Sequence, residues 1–166
     1  MFEMEARLYR FTHGYVKLLV GDIPDEALVS QPAGMTLNHP AWILGHLAGG
    51  ADYACQLLGQ ASTFPPDWAA KFGPGSKVVN ERSSYPSKDA LLEALDRDVA
   101  RVLEAVSRAD PDALTRPHGL PLAFLKGQID TAGEMLAHLM TTHQAVHAGQ
   151  LSAWRRAMNR PGVLSL

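Results

Sequence analysis

Apolar residues return at steps of three and four along most of this chain and scarcely ever alternate with polar ones, so the pattern predicts helices and no strands. Met4, Leu8, Phe11, Tyr15, Leu18 and Leu19 mark one face of a first helix from about residue 2 to 20. Gly21, Asp22, Ile23 and Pro24 end it, and Pro32 and Gly34 keep the chain irregular as far as Asn38. Asn38 reads first as the cap of a second helix that has Pro40 in its first turn and runs to about Leu58, with Gly59 as its stop. Ser87 caps a third helix whose stripe is Leu91, Leu95, Val99, Val102 and Val106. Thr131 with Glu134 forms a capping box that opens a fourth helix, ending near Met158 before Pro161 and Gly162.

Between the second and third helices lie residues 59 to 87, with Phe64, Pro65, Pro66, Asp67 and Trp68, then Phe72, Gly73, Pro74 and Gly75, then Tyr85 and Pro86. So many breakers forbid a regular helix, and loops longer than about 12–15 residues are uncommon unless they serve as lids or binding loops. The aromatic residues of this crossover either cover a site or pin the loop to the bundle. Four amphipathic helices joined by one long crossover predict an all-α fold, a four-helix bundle with the crossover between helices 2 and 3.

At 166 residues, 46% of them apolar and 19% charged, the chain is expected to be one globular domain over 1–166. A formal charge of −2 leaves no surplus of Lys and Arg for a phosphate backbone, so no nucleic-acid partner is expected. The uncharged stretch from Ala27 to Ala51 is broken by Pro32, Asn38, Pro40 and two histidines, so no membrane partner is expected either. Cys55 is the one cysteine, and the acidic, amphipathic start does not resemble an export signal; a cytoplasmic location is the expectation.

Candidate chemistry rests on the seven histidines. His143 and His147 are one helical turn apart, on the same stripe as Leu136, Leu139, Met140, Gln150 and Trp154, so both imidazoles point toward the bundle interior. Burying them there is costly unless each nitrogen finds a partner, and a divalent cation is an effective one. His46 lies in a second apolar run, followed after one turn by Gly49 and Gly50. Each glycine costs about 1 kcal/mol relative to Ala inside a helix, which makes sense if something must come close beside His46. An isolated HxxxH pair also occurs in helices that bind nothing, and interior histidines are often only hydrogen-bonded core residues.

The segment from Asn38 to Leu47 (Asn-His-Pro-Ala-Trp-Ile-Leu-Gly-His-Leu), taken with His143 to Leu151 (His-Gln-Ala-Val-His-Ala-Gly-Gln-Leu), resembles the two signature segments of the DinB/YfiT-like family. The resemblance implies a four-helix bundle holding a divalent metal, commonly zinc, nickel or iron, through His46, His143 and His147. It also implies chemistry on a small-molecule substrate, with a low-molecular-weight thiol as possible cofactor and thiol transfer as the leading reaction. Three neutral imidazoles leave the metal at +2 with open positions, the arrangement of a catalytic site. The alternative is a non-catalytic, metal- or ligand-binding stress-response bundle acting as a dimer. A homodimer is expected in either case.

Gln150 and Asn38 are candidate partners of a ligand imidazole, although Asn38 reads first as the cap and Gln150 could equally satisfy a backbone group. His138, five residues before His143, falls about 140° around an α-helix and is expected to stay out of the cluster. His13, His39 and His118 read as surface or structural residues. Cys55, about 13 Å along the helix from His46, reads as core. No carboxylate base is expected beside the triad, since Asp52 and Glu134 are far from it in sequence. Arg155, Arg156 and Arg160 read as charges complementing a helix C-terminus.

Overall fold

A computed structural model describes residues 1–164. They form a helical bundle with no strand among the described residues, as the hydropathy pattern predicts. Its long members are α1 (Glu3–Gly21), α2 (Pro40–Leu57), α4 (Lys88–Ala105), and a last rod made of α6 (Ala132–His138), a π-helical turn (Leu139–His143) and α7 (Gln144–Ala157). Two one-turn helices, α3 (Ala69–Phe72) and α5 (Pro111–Leu114), sit in the connections.

α2 lies at the centre, buried on most sides by residues such as Ile43, Leu44, Leu47, Ala51 and Ala54, and packs most closely along α4. Its cap differs from the expectation. His39, not Asn38, is the N-cap, its Nδ1 accepting from the Trp42 amide at 3.2 Å while its Nε2–H donates to the Val79 carbonyl at 2.9 Å. The buried imidazole thus satisfies an orphan helix amide and ties the crossover to the start of α2. The predicted caps at Ser87 and Thr131 are present, the latter as a complete capping box with Glu134.

α1 turns a different face inward from the predicted one. Ala6, Tyr9, Val16, Leu19 and Val20 are buried against the bundle, whereas Met4, Leu8, Phe11 and Leu18 are 44–68% exposed. Both stripes repeat at three and four residues, so the period alone cannot choose between them. Polar contacts on the inner side fix the choice: His13 bonds Asp96 of α4 at 2.7 Å, and Thr12 bonds Gln144 of α7 at 3.1 Å.

The crossover packs down on the bundle. Trp68, Phe72 and Tyr85 are buried, and two interior carboxylates hold the segment from below. Asp52 accepts from the amides of Thr63 (2.6 Å) and Phe64 (3.1 Å) and from Ser62 Oγ (2.7 Å), while Asp98 accepts from Thr63 Oγ1 (2.9 Å), Arg97 and Arg101. Arg155 also does more than complement a helix end. It is buried, pairs with Asp22, and donates to the carbonyls of Leu19 and Pro161, closing the end of α1 onto α7. No helix among the described residues is long and apolar enough to cross a membrane.

Candidate metal centre

Where α2 crosses the π-turn and α7, the structure brings His46, His143 and His147 together. One nitrogen from each lies within 4.8 Å of the others, and the Nε2 atoms of His46 and His143 are 3.1 Å apart. Two imidazoles bound at about 2.0–2.1 Å in a tetrahedral array would sit about 3.3 Å apart, so the closest pair already has the spacing of metal ligands.

The outward nitrogens are held by partners that set the tautomers. His46 Nδ1–H donates to the Phe72 carbonyl at 2.6 Å, which frees Nε2 to face the centre. The Trp42 indole stacks on the same ring at 4.7 Å and 10°, fixing its plane. His147 Nδ1–H donates to Gln150 Oε1 at 3.0 Å, and that oxygen also accepts from Asn38 Nδ2 at 3.3 Å. Asn38, released from capping by His39, therefore stands behind Gln150 in a chain that ends on His147. Partners of this kind orient metal-bound imidazoles and raise their basicity.

Glycine makes the approach possible. A Cβ on Gly50 would meet His143 Cε1 at 3.1 Å, and one on Gly45 would overlap the Phe72 ring at 2.2 Å. Gly49 leaves room for Phe64, at 3.2 Å from the same construction. The predicted space beside His46 is thus shared by a neighbouring imidazole and two crossover aromatics.

Burial favours the neutral form of all three rings. It pushes His143 down to about 2, helped by repulsion from His46 and His147, and His147 down to about 4, helped by His46. His46 is lowered by burial as well, against the pull of the Phe72 carbonyl. Neutral imidazoles are what a metal requires. The donor set therefore fits one divalent cation with coordination positions left over, since no carboxylate or thiol among the described residues joins it. Cys55 is buried, its thiol pushed up to about 11 by burial, with Sγ directed to the Asp98 carbonyl at 3.5 Å. Asp52 is committed to the crossover.

His138 stays out of the cluster of ligand nitrogens, as expected, but stands closer to it than an α-helix would bring it. Its ring centroid is 5.7 Å from that of His143, and its Nδ1 is bonded to Thr142 Oγ1 at 2.6 Å. The π-turn over Leu139–His143 is the reason. Wider winding with i to i+5 bonding brings residues five apart onto one face, which an α-helix would separate. The burial pattern along the rod reflects this turn. Ala132, Leu136, Met140, Gln144 and Ala148 are all buried at unbroken steps of four. Four such steps carry a stripe about 160° around an α-helix, and an extra residue in the winding is what keeps it facing inward.

The triad opens into a chamber of about 750 Å³ walled by α2, by Phe64 and Phe72 of the crossover, and by Leu120, Leu122 and Phe124 from the segment ahead of α6. His138 and Leu139 complete the wall beside His143.

No curated protein and no solved structure matches the chain significantly. A family model described as DinB superfamily matches residues 8–151, a span that begins in α1, includes all three histidines and ends in α7. The fold, the two histidine segments and that match together place this chain in the DinB superfamily.

Proposed function

We propose that this protein is a metal-dependent enzyme in which His46, His143 and His147 hold one divalent ion, zinc, nickel or iron, for chemistry on a small molecule, with thiol transfer as the leading reaction. The observation that carries the reading is the convergence of three neutral imidazoles, two with the outward nitrogen already bonded to the protein. A bound divalent ion supplies Lewis acidity, lowering the pKa of a coordinated water or thiol so that it is a nucleophile at neutral pH.

The chain's own groups do the rest. Phe72 and Gln150 hold the rings of His46 and His147 in orientation, and Asn38 steadies Gln150. Apolar walls line the open side of the centre. His138, fixed by Thr142, stands beside the centre where it can orient a substrate head group. A cytoplasmic location is consistent with a single buried cysteine. The exposed stripe Met4, Leu8, Phe11 and Leu18 supports pairing with a second copy through α1, and Phe11→Glu is expected to halve the mass seen by light scattering if α1 is that surface.

The deciding measurement is metal content by elemental mass spectrometry on tag-free protein, beside His46→Ala and His143→Ala. Near-stoichiometric metal in the wild type and its loss in both variants is expected, followed by a thiol-transfer screen of the loaded protein. A wild type that stays metal-free after incubation with zinc, nickel and iron would overturn the reading.

A further inference from the structure

The chamber over the triad is chemically lopsided. Its volume of about 750 Å³ lies within the ~300–1,000 Å³ typical of small-molecule sites. Among the described residues no Lys or Arg lines it. The polar side chains on its walls are already engaged. Asp52 accepts from Gln56 Nε2 at 2.8 Å and from Ser62 Oγ at 2.7 Å, Trp42 Nε1–H donates to Ser76 Oγ at 2.9 Å, and the Tyr53 hydroxyl donates to the His118 carbonyl. The single carboxylate, Asp52, is taken up by the crossover and by Arg101 at 3.9 Å, and Arg101 itself does not line the chamber, so neither offers a cation to a guest. The remaining polar groups are imidazoles, all gathered at one end.

We propose that this chamber takes an uncharged, largely apolar small molecule bearing a single metal-binding head group, and disfavours thiols that carry carboxylates, such as the glutathione type. The inference rests on the metal reading above for the head group, while the body of the molecule is read from the walls alone. A carboxylate drawn into these walls would lose its water and find no cationic partner. Negative charge is matched only at the metal, where a thiol coordinates as its thiolate. An aromatic or branched alkyl body instead finds Phe64, Phe72, Leu122 and Leu139 on facing walls, with Phe124, 72% exposed, at the rim. Burial of an apolar body against such surfaces favours binding in proportion to the area it removes from water.

The test uses cobalt-loaded full-length protein titrated with benzyl mercaptan and, separately, with glutathione. Thiolate-to-cobalt charge-transfer absorbance reports coordination. Benzyl mercaptan is expected to saturate at a concentration at least tenfold lower, and Leu122→Arg, a change in a half-buried loop residue, to narrow that ratio by favouring glutathione. Equal or tighter coordination of glutathione by the wild type would overturn the proposal while leaving the metal reading intact. Absence of any cobalt spectrum would instead defeat the metal reading. In that event the neutral fluorophore N-phenyl-1-naphthylamine decides. Bright binding displaced by benzyl mercaptan and not by glutathione supports the apolar chamber, and no fluorescence enhancement in the wild type overturns it. Circular dichroism of Leu122→Arg verifies that the variant is folded.

Discussion

Replacing Gly45 with Ala adds one methyl group in the middle of α2, where propensity alone would gain about 1 kcal/mol. The structure predicts a loss. The new Cβ would lie 2.2 Å from Phe72 Cε1 and 2.4 Å from Cδ1 and Cζ, inside any tolerable contact. Phe72 cannot step aside easily, because it is 2% exposed and flanked by Trp68, edge-on at 5.6 Å, and by Tyr85, tilted at 5.8 Å. Overpacking costs about 1–3 kcal/mol if the ring stays, and expelling it approaches the ~3–5 kcal/mol of a Phe→Ala truncation. Net of propensity, Gly45→Ala should destabilise the protein by about 0–2 kcal/mol if the ring stays and about 2–4 kcal/mol if it is expelled, measured by urea unfolding. Because the Phe72 carbonyl orients His46, zinc affinity should fall as well, by about 10–100-fold. The cause is isolated by a double-mutant cycle with Phe72→Ala, which keeps that carbonyl and removes the ring. In the truncated background Gly45→Ala should be neutral or mildly stabilising. An equal cost in both backgrounds would refute the clash.

Other expectations test different parts of the molecule. Gln150→Leu, which removes the acceptor of His147 Nδ1–H, should weaken zinc binding by about 10–100-fold in a competitive chelator titration, with the fold unchanged by circular dichroism. Asp52→Ala strands two crossover amides and should cost about 2–4 kcal/mol in urea unfolding, with faster proteolysis near residues 60–66; resistance equal to wild type would show the tether to be dispensable. The metal-free protein should lose stability on acidification. His143 and His147 have folded pKa values of about 2 and about 4, below their unfolded values near 6.5, so as pH falls through 6.5 the unfolded chain takes up protons that the native state refuses. Each contributes up to about 1.4 kcal/mol of loss per pH unit, down to about pH 4 for His147 and lower for His143, and nothing above pH 7. Urea melts at pH 7.5, 6 and 5 check this, and equal midpoints would contradict it.

The third predicted helix appears with its cap and buried stripe intact, since propensity, periodicity and burial all agree there. The position of the second histidine segment against the first was legible for the same reason: both lie in apolar runs that must face one core. What was illegible depends on choices between local alternatives. Asn38 and His39 can each cap a helix, and only the fold shows His39 bridging to Val79 while Asn38 turns to Gln150. Two stripes on α1 satisfy the same period. Asp98 and Arg155 lie inside with partners 35 and 133 residues away in sequence, separations no local window relates, and Asp52 meets its partners only because the crossover folds back over α2. His138 lies outside the ligand cluster as expected, yet nearer His143 than ideal winding would put it, because the turn between them winds more widely.

That wider turn gives the last helix a property that composition does not reveal: its length matters independently of its sequence. α6 and α7 act like two shafts joined at a fixed angular offset, and the offset is one residue. Deleting one residue between Leu139 and Thr142 would remove the surplus and let the rod run as a plain α-helix with both ends still in register, whereas rewinding with every residue kept would swing everything ahead of the turn through about 100° relative to His143 and His147. The capping box and the Pro117–Thr131 bridge would travel with it, carrying Leu120, Leu122 and Phe124 away from the imidazoles they now overlook. Substitutions in this turn can be absorbed one side chain at a time, whereas rewinding it around all of its residues would separate the chamber's roof from its floor.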